Sequence, residues 1–251
     1  MPIWALHPAP EQLGTMSNHY FEFRQMRIEQ DRCAMKVSTD ACIQGAWTTI
    51  ASDTKRVLDI GCGTGLLSLM LAQRNNNIYI DALEIDPLAA QQAKENISNS
   101  KFSDQILVTE CDAKTWEKES YYDLIICNPP FFSQSLKGHD PKRNIARHND
   151  EFGFDDLLKV IDINLKKEGT ASILLPFSEI NRWEKAMSQT NLTLMNTLLI
   201  KPFEHQAPNR VVMILSKQEG KNEREELVIY QEPKQYSSKF TDLLRPFYLH
   251  L

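Results

Sequence analysis

The sequence predicts an α/β protein: an open, mostly parallel sheet with helices on both faces and antiparallel strands at its C-terminal edge. Three observations carry this. Short β-rich runs alternate with helix-patterned runs over most of the 251 residues, an order that calls for parallel strands joined by crossover helices. Gly61, Gly63 and Gly65 sit at the first strand-to-helix junction, where such folds turn tightly. Beyond Asn191 the pattern changes to strands in succession, as in an antiparallel addition to a sheet edge.

The elements follow in order. Residues 1–17 lack periodicity and are expected to form a flexible extension, with 18–251 as one domain. Met16 is an alternative start. "RVLDIGC" reads as a buried strand and "GLLSLMLAQR" after it as a helix. "IYIDALEID" is a strand, and "PLAAQQAKENISNS" is a helix with Pro87 at its first position. "QILVTECD" and "YYDLIIC" are strands. "FDDLLKVIDINLKKEG" places Leu157, Leu158, Ile161 and Leu165 on one helical face, with lysines in the last turn and Gly169 as the stop. "TASILLP" is again a buried strand. "LTLMNTLLIKP", "RVVMILSKQ" and "ELVIYQ" supply the antiparallel edge.

Composition excludes several classes. Hydrophobic content of 42% and charged content of 24% are ordinary for a soluble globular chain. No apolar run approaches a membrane span, and "MPIWALHPAPEQLG" has neither the basic start nor the apolar stretch of a signal peptide. The five cysteines are scattered and form no C-x-x-C pair, so the reading is a reduced cytoplasmic protein without structural zinc. The histidines show no metal-ligand spacing. A net charge of −5 argues against indiscriminate nucleic-acid binding but allows a local basic patch.

The glycine turn reads D-x-G-x-G-x-G, with Asp59 on the strand just before it. A carboxylate there opposes a pyrophosphate but suits an amino group. S-adenosylmethionine fits, since it has no phosphate and carries a sulfonium and an ammonium. Glu84 ends the next strand, about 20 residues beyond the glycines, where an acid bonds both ribose hydroxyls. Asp86 is placed to cap the helix that begins at Pro87. Asp112 ends the third strand, either to accept the adenine amino group or to cap a loop. In an open α/β sheet these strand ends meet in one crevice. A dinucleotide oxidoreductase uses a related glycine turn, and Asp59 counts against it.

With those residues in place, the sequence resembles class I S-adenosylmethionine-dependent methyltransferases, and "NPPF" after the fourth strand resembles the branch that methylates exocyclic or amide nitrogens. "DRCAMKVSTDACIQGAW", "LDIGCGTGLLSLMLAQR", "IDALEID", "DLIICNPPFF" and "RPFYL" are similar, in order and spacing, to the bacterial tRNA(Val) (adenine-37-N6)-methyltransferase family. The resemblance implies a Rossmann-like fold with a seven-stranded sheet, S-adenosylmethionine as cofactor, tRNA as partner, and no metal. Oligomeric state is not implied, and a monomer is the default expectation. Several relatives have tyrosine where Phe131 stands.

The resemblance also implies roles. An exocyclic amino nitrogen is a poor nucleophile, because its lone pair is delocalised into the ring. Asn128 and the Pro129 carbonyl, stiffened by Pro130, would each accept one of its hydrogens and aim the lone pair at the methyl carbon. Phe131 would stack on the target base. Lys137, Lys142, Arg143 and Arg147 follow in a basic loop suited to phosphate contacts. Thr39 and Asp40 lie in the segment that folds over the cofactor in the family, though either would also serve as an ordinary helix N-cap. Guanine N2 in ribosomal RNA, adenine in DNA and glutamine in release factors are alternative amino groups for an NPPF pocket. A catalytically inactive nucleotide-binding module is a further alternative, against which the intact acids and Asn128 count.

Overall fold

The chain enters through two short antiparallel strands, β1 (Tyr20–Glu22) and β2 (Arg27–Glu29), and then helix α1 (Thr39–Trp47). The structure is a computed structural model that describes residues 19–129 and 152–251. The expected extension at 1–17 lies outside the described residues, as do Pro130, Phe131, Lys137, Lys142, Arg143 and Arg147. From Arg56 strands and helices alternate as the sequence predicts. They are β3 (Arg56–Ile60), α2 (Leu66–Arg74), β4 (Tyr79–Glu84), α3 (Pro87–Ser98), β5 (Ile106–Glu110) and β6 (Tyr122–Cys127). Then come α4 (Phe154–Asn164), β7 (Leu165–Pro176), α5 (Ile180–Met187) and β8 (Thr193–Phe203). The chain closes with β9 (Arg210–Ser216), β10 (Glu223–Glu232), β11 (Gln235–Tyr236) and α6 (Ser238–Leu244).

Among the described residues, nine strands form one sheet in the order β5-β4-β3-β6-β7-β9-β8-β10-β11. The resemblance implied seven strands; the sheet has nine, with β10, the expected "ELVIYQ", and the short β11 at its edge. The pairs from β5 across to β7 are parallel, and β9 runs antiparallel between β7 and β8. "ELVIYQ" was expected to be antiparallel to its neighbour, but β10 pairs parallel with β8. β9 does reverse β8, and β10 reverses β9. The chain after β9 steps across β8 to its far side, so neighbours in space are not neighbours in sequence.

A second correction concerns α4. It ends at Asn164, and Leu165 already begins β7, so Lys166, Lys167 and Gly169 are not a helical last turn and stop. Sheet pairing overrides the local pattern here. Lys166 bonds Asp123 at 2.6 Å, and a Cβ on Gly169 would come within 3.0 Å of the Tyr122 and Asp123 carbonyl oxygens. Only glycine lets the two strands approach so closely. The ladder slips at this point, pairing Tyr122 with Leu165 but Leu124 with Thr170.

Alternation along the strands builds two apolar layers. Val57, Ile80, Leu124, Ile126 and Leu174 face α1, α2, α3 and α6, where Ile43, Met70, Ala93 and Phe240 meet them. Leu58, Ile125, Ile173 and Met213 face α4 and α5, where Leu157, Ile161 and Trp183 meet them. Both faces of the sheet are therefore covered, which is why its strands read as near-continuous apolar runs. The closing "RPFYL" packs against the entry strands: Arg24 donates to the Phe247 carbonyl at 2.8 Å, and Tyr248 meets Phe21 and Phe23 ring to ring. That contact brings the two ends of the described chain together.

The site follows from the strand order. β3 is flanked by β4, which leads away to β5, and by β6, which leads the other way. Between them lies the switch point at which open α/β sheets leave a crevice. The register pairs Ile60 with Cys127, so Gly61 and Asn128 leave the sheet side by side.

Candidate active site

A cleft of about 570 Å³ opens at this switch point. Its floor is Ile60, Gly61 and Gly63 from the turn and Cys127 and Pro129 from the end of β6. One wall carries Leu83, Glu84, Ile85, Asp86, Leu88 and Ala89. Cys111, Asp112, Ala113 and Phe152 form another, and Asp31 to Met35 close the cleft from the N-terminal side.

The turn is built for close approach. Gly61 and Gly63 have φ of +69° and +55°, and a Cβ on either would project into open space. That space is the cleft, so a side chain there would occupy ligand volume and would also strain the backbone. Gly65 serves a different purpose: with φ of +82° it starts α2, and a Cβ would press on Ile97 of α3 at 3.3 Å. It is a packing glycine, away from the cleft wall.

Glu84 is nearly buried, and its carboxylate accepts from the backbone N–H of Gly63 at 2.8 Å and of Asp86 at 3.0 Å. It thereby holds the glycine turn against β4. A carboxylate has about four lone-pair sites, which leaves two to face a ligand's hydroxyls. Asp86 caps α3 as expected, accepting from Ala89 N–H at 2.8 Å. Asp112 takes the capping role, holding a short 3-10 turn through Lys114 N–H at 2.9 Å, and it also lines the cleft.

Asp59 is placed differently from the expectation. It lies behind the turn, wholly buried, and is not on the cleft wall. Its Oδ2 accepts from the Ser68 hydroxyl at 2.7 Å and the Ser68 N–H at 3.1 Å, which ties β3 to α2. Its Oδ1 is buried without a partner. Burial pushes the carboxyl from 3.8 up to about 7, against the pull of the Ser68 bonds. The folded state thus holds this proton more tightly than the unfolded chain, so stability from this group is fully present below pH 3.8 and is lost as pH rises to about 7. Asp59→Asn is expected to remove that slope and raise the neutral-pH melting temperature. Thermal melts of both proteins between pH 4 and 8 check this, and parallel slopes would refute it.

Thr39 and Asp40 are not part of the cleft wall, and neither caps α1. Ser38 is the cap, accepting from Ala41 N–H at 3.3 Å. Asp40 instead pairs with Arg210 of β9 at 2.7 Å. A one-residue change in where the helix begins turns the expected caps into first-turn residues, and the Arg210 partner is 170 residues away in sequence.

Sequence reasoning missed the part of the N-terminal segment that does reach the cleft. Residues 29–35 form a strap docked on α3 through Gln92, Glu95 and Asn96, one helical face at i, i+3 and i+4 spacing. Gln92 accepts from Arg32 N–H at 3.1 Å and donates to Asp31 at 2.5 Å, and Arg32 pairs with Glu95. Asn96 is buried and exchanges two 2.9 Å bonds with the Glu29 backbone while donating to the Thr64 carbonyl at 2.9 Å. It links strap and glycine turn. Asn96→Ala is expected to cost about 1–3 kcal/mol, measured by urea unfolding, and to weaken ligand binding in the cleft. The signal was present as polar residues on one stripe of a helix, but such a stripe is ordinarily a solvated face.

The cleft contains no ready nucleophile among its thiols. Burial, reinforced by Glu84 and Asp86, pushes Cys33 to about 11, and burial drives Cys127 well above the usual thiol range. Asn128 presents the opposite case. Among the described residues its Oδ1 is buried without a partner; the side chain is not one of those that line the cleft, although the flanking Cys127 and Pro129 are on its floor. An unsatisfied acceptor at the end of a strand is an expensive feature unless a ligand donates to it.

Comparison with known proteins gives the family. The family model described as "Methyltransferase small domain" matches residues 43–150. The tRNA1(Val) (adenine(37)-N6)-methyltransferase of Bacteroides thetaiotaomicron is 40% identical over 237 residues, covering 94% of this chain and 100% of that protein. The protein of the same name from Cytophaga hutchinsonii is 39% identical over 245 residues, with 94% and 100% covered. A crystal structure described as a predicted O-methyltransferase from Agrobacterium tumefaciens superposes with a TM-score of 0.64, at 17% identity, over 82% of this chain and 96% of that one. That likeness shows the class I methyltransferase fold. At 40% identity across the length of its relatives, and with their fold, the chain belongs to the tRNA1(Val) (adenine(37)-N6)-methyltransferase family.

Proposed function

We propose that the protein transfers a methyl group from S-adenosylmethionine to the exocyclic N6 of adenine 37 in tRNA(Val), in the cytoplasm. The observation that carries the amino-group chemistry is the buried, unpartnered Oδ1 of Asn128 next to Pro129. The adenine, its position and the tRNA come from the names of the relatives.

The residues present fit the cofactor. Gly61 and Gly63 leave room for a chain to lie on the backbone, and Glu84 keeps two lone-pair directions for ribose hydroxyls. Met35, Ile85 and Leu88 are exposed apolar side chains at the cleft mouth, at 41%, 65% and 58%, and a base would cover them. Asp112 is on the same wall for the base's amino group. Asp59 backs the glycine turn from behind and would act on a bound ammonium only through that turn, since its own oxygens are buried away from the cleft. When bound, the cofactor supplies an electrophilic methyl carbon on a sulfonium.

The chain's own residues then do positional work. Asn128 Oδ1 accepts one N6 hydrogen and the Pro129 carbonyl accepts the other, which withdraws the nitrogen lone pair from the ring and directs it at the methyl carbon. The amino proton leaves to water after transfer, so no general base is required of the protein. By sequence, Phe131 stacks on the adenine, and Lys137, Lys142, Arg143 and Arg147 meet phosphates of the anticodon arm.

The test is methylation of bulk tRNA with methyl-labelled S-adenosylmethionine, followed by nucleoside analysis and mapping of the labelled tRNA. Label in N6-methyladenosine at position 37 of tRNA(Val) is the expected result. Label in another nucleoside, or in release factors but not RNA, would replace this reading with one of the alternative amino groups.

A further inference from the structure

Gln44 is a wholly buried glutamine on α1 that the cleft chemistry above does not use. Its Nε2 donates to the Cys127 carbonyl at 3.0 Å and to the Ser172 carbonyl at 3.1 Å. A longer bond of 3.4 Å reaches the Ser172 hydroxyl, but the two carbonyl oxygens only accept, so the orientation of the amide is determined. Among the described residues its own Oε1 is buried with no partner. A buried amide that leaves its oxygen unsatisfied is a poor source of stability. What it does supply is geometry.

The Cys127 carbonyl belongs to the peptide unit that carries the Asn128 nitrogen. Cys127 is the last residue of β6, and Ser172 lies on the neighbouring β7, paired with Ile126. Gln44 therefore bridges two parallel strands at the place where one of them leaves the sheet as Asn128-Pro129. A hydrogen bond to that carbonyl fixes the peptide plane, and with it the direction from which the Asn128 side chain starts.

The helix that carries Gln44 is itself anchored at both ends. Asp40 in its first turn pairs with Arg210 on β9. At its other end Arg74 of α2 donates to the Gly45 and Thr48 carbonyls at 2.8 and 2.7 Å. A donor on a helix held in this way has a defined reach. We infer that Gln44 is a positioning residue for the reaction: it orients the Cys127–Asn128 peptide so that Asn128 Oδ1 stands where the substrate amino group arrives.

This rests on the amino-clamp reading of Asn128, and the experiment separates the two. Gln44→Met, Gln44→Asn, Asn128→Ala and the Gln44→Met/Asn128→Ala double variant are compared in single-turnover methylation of tRNA. Asn164→Ala is the structural control. Asn164 is a buried side chain at the opposite end of the sheet, bonded to Trp116 and Val160 carbonyls. Gln44→Met is expected to slow methyl transfer about 10- to 100-fold, as displacement of a reacting group by about 1 Å does. Cofactor Kd and tRNA KM are expected to stay within about twofold, since the glycine turn and Glu84 are untouched. Asn164→Ala is expected to lower the melting temperature with little change in transfer rate. The double variant is expected to be no slower than Asn128→Ala alone, because residues acting through one another are non-additive.

Full transfer rates in Gln44→Met and Gln44→Asn beside an inactive Asn128→Ala would overturn the Gln44 inference alone. So would additive losses in the double variant, or a rate loss matched by an equal loss of cofactor affinity. An active Asn128→Ala would overturn the clamp itself.

Discussion

Asn128→Ala is expected to lower kcat about 100- to 1,000-fold, the size of effect seen when one preorganised hydrogen-bonding group is removed from a reacting centre. Oδ1 has no partner among the described residues, so its value is realised when the amino group is present. Two further outcomes distinguish this from simple damage. Cofactor Kd is expected to be unchanged, because the proposed cofactor contacts, Glu84 and the glycine turn, lie on other strands. The melting temperature is expected to hold or rise, because an unsatisfied buried acceptor is removed. Asn128→Asp keeps an acceptor oxygen and is expected to recover part of the rate. Steady-state kinetics, titration calorimetry and thermal melts test these together. A fully active alanine variant would remove the amino clamp, and a variant that fails to bind cofactor would move the residue's role to the cofactor side.

The second large effect is expected at Glu84. Its carboxylate holds Gly63 and Asp86 through backbone N–H groups and faces the cleft with its remaining lone pairs. Hydrogen bonds to a charged group are worth about 1.5–3 kcal/mol each, and about 1.4 kcal/mol is tenfold in affinity. Glu84→Ala is therefore expected to raise cofactor Kd about 100-fold. Glu84→Gln keeps one acceptor and is expected to fall between the two. With cofactor at saturation, kcat is expected to remain close to that of the natural protein, since Asn128 and Pro129 are undisturbed. Binding titration and kcat at several cofactor concentrations decide it. An unchanged Kd in Glu84→Ala would show that the carboxylate only supports the turn, and a collapsed kcat at saturation would tie it to the transfer step.

The two residues illustrate how differently sites are written in a chain. The positions of Gly61, Gly63, Glu84, Asp86, Asp112 and Pro129 on the cleft were legible because each is local. A strand must end, the backbone must turn, and the residues at strand ends face the crevice whatever the rest of the fold does. The two apolar layers were legible for a similar reason, since strands covered on both faces read as continuous apolar runs. The misreadings share the opposite character. Gly169 looked like a helix stop because "NLKKEG" is a fair helix ending, and only its approach to the Tyr122 and Asp123 carbonyls makes it a strand residue. Asp40 looked like a cap because Arg210, its partner, comes from the far end of the chain.

By itself, then, the sequence determined the alternation of strands and helices, the crevice at the switch point and the groups at its strand ends, because those follow from periodicity and turn chemistry over a few residues. The tertiary structure alone decided that Asp31 to Met35, and not Thr39 and Asp40, close the cleft. It also decided that Asp59 stands behind the turn with one oxygen open, and that Gln44 holds the peptide before Asn128. The strap and Gln44 depend on hydrogen bonds between groups tens of residues apart. Their energy depends on distances of about 3 Å that no local pattern encodes.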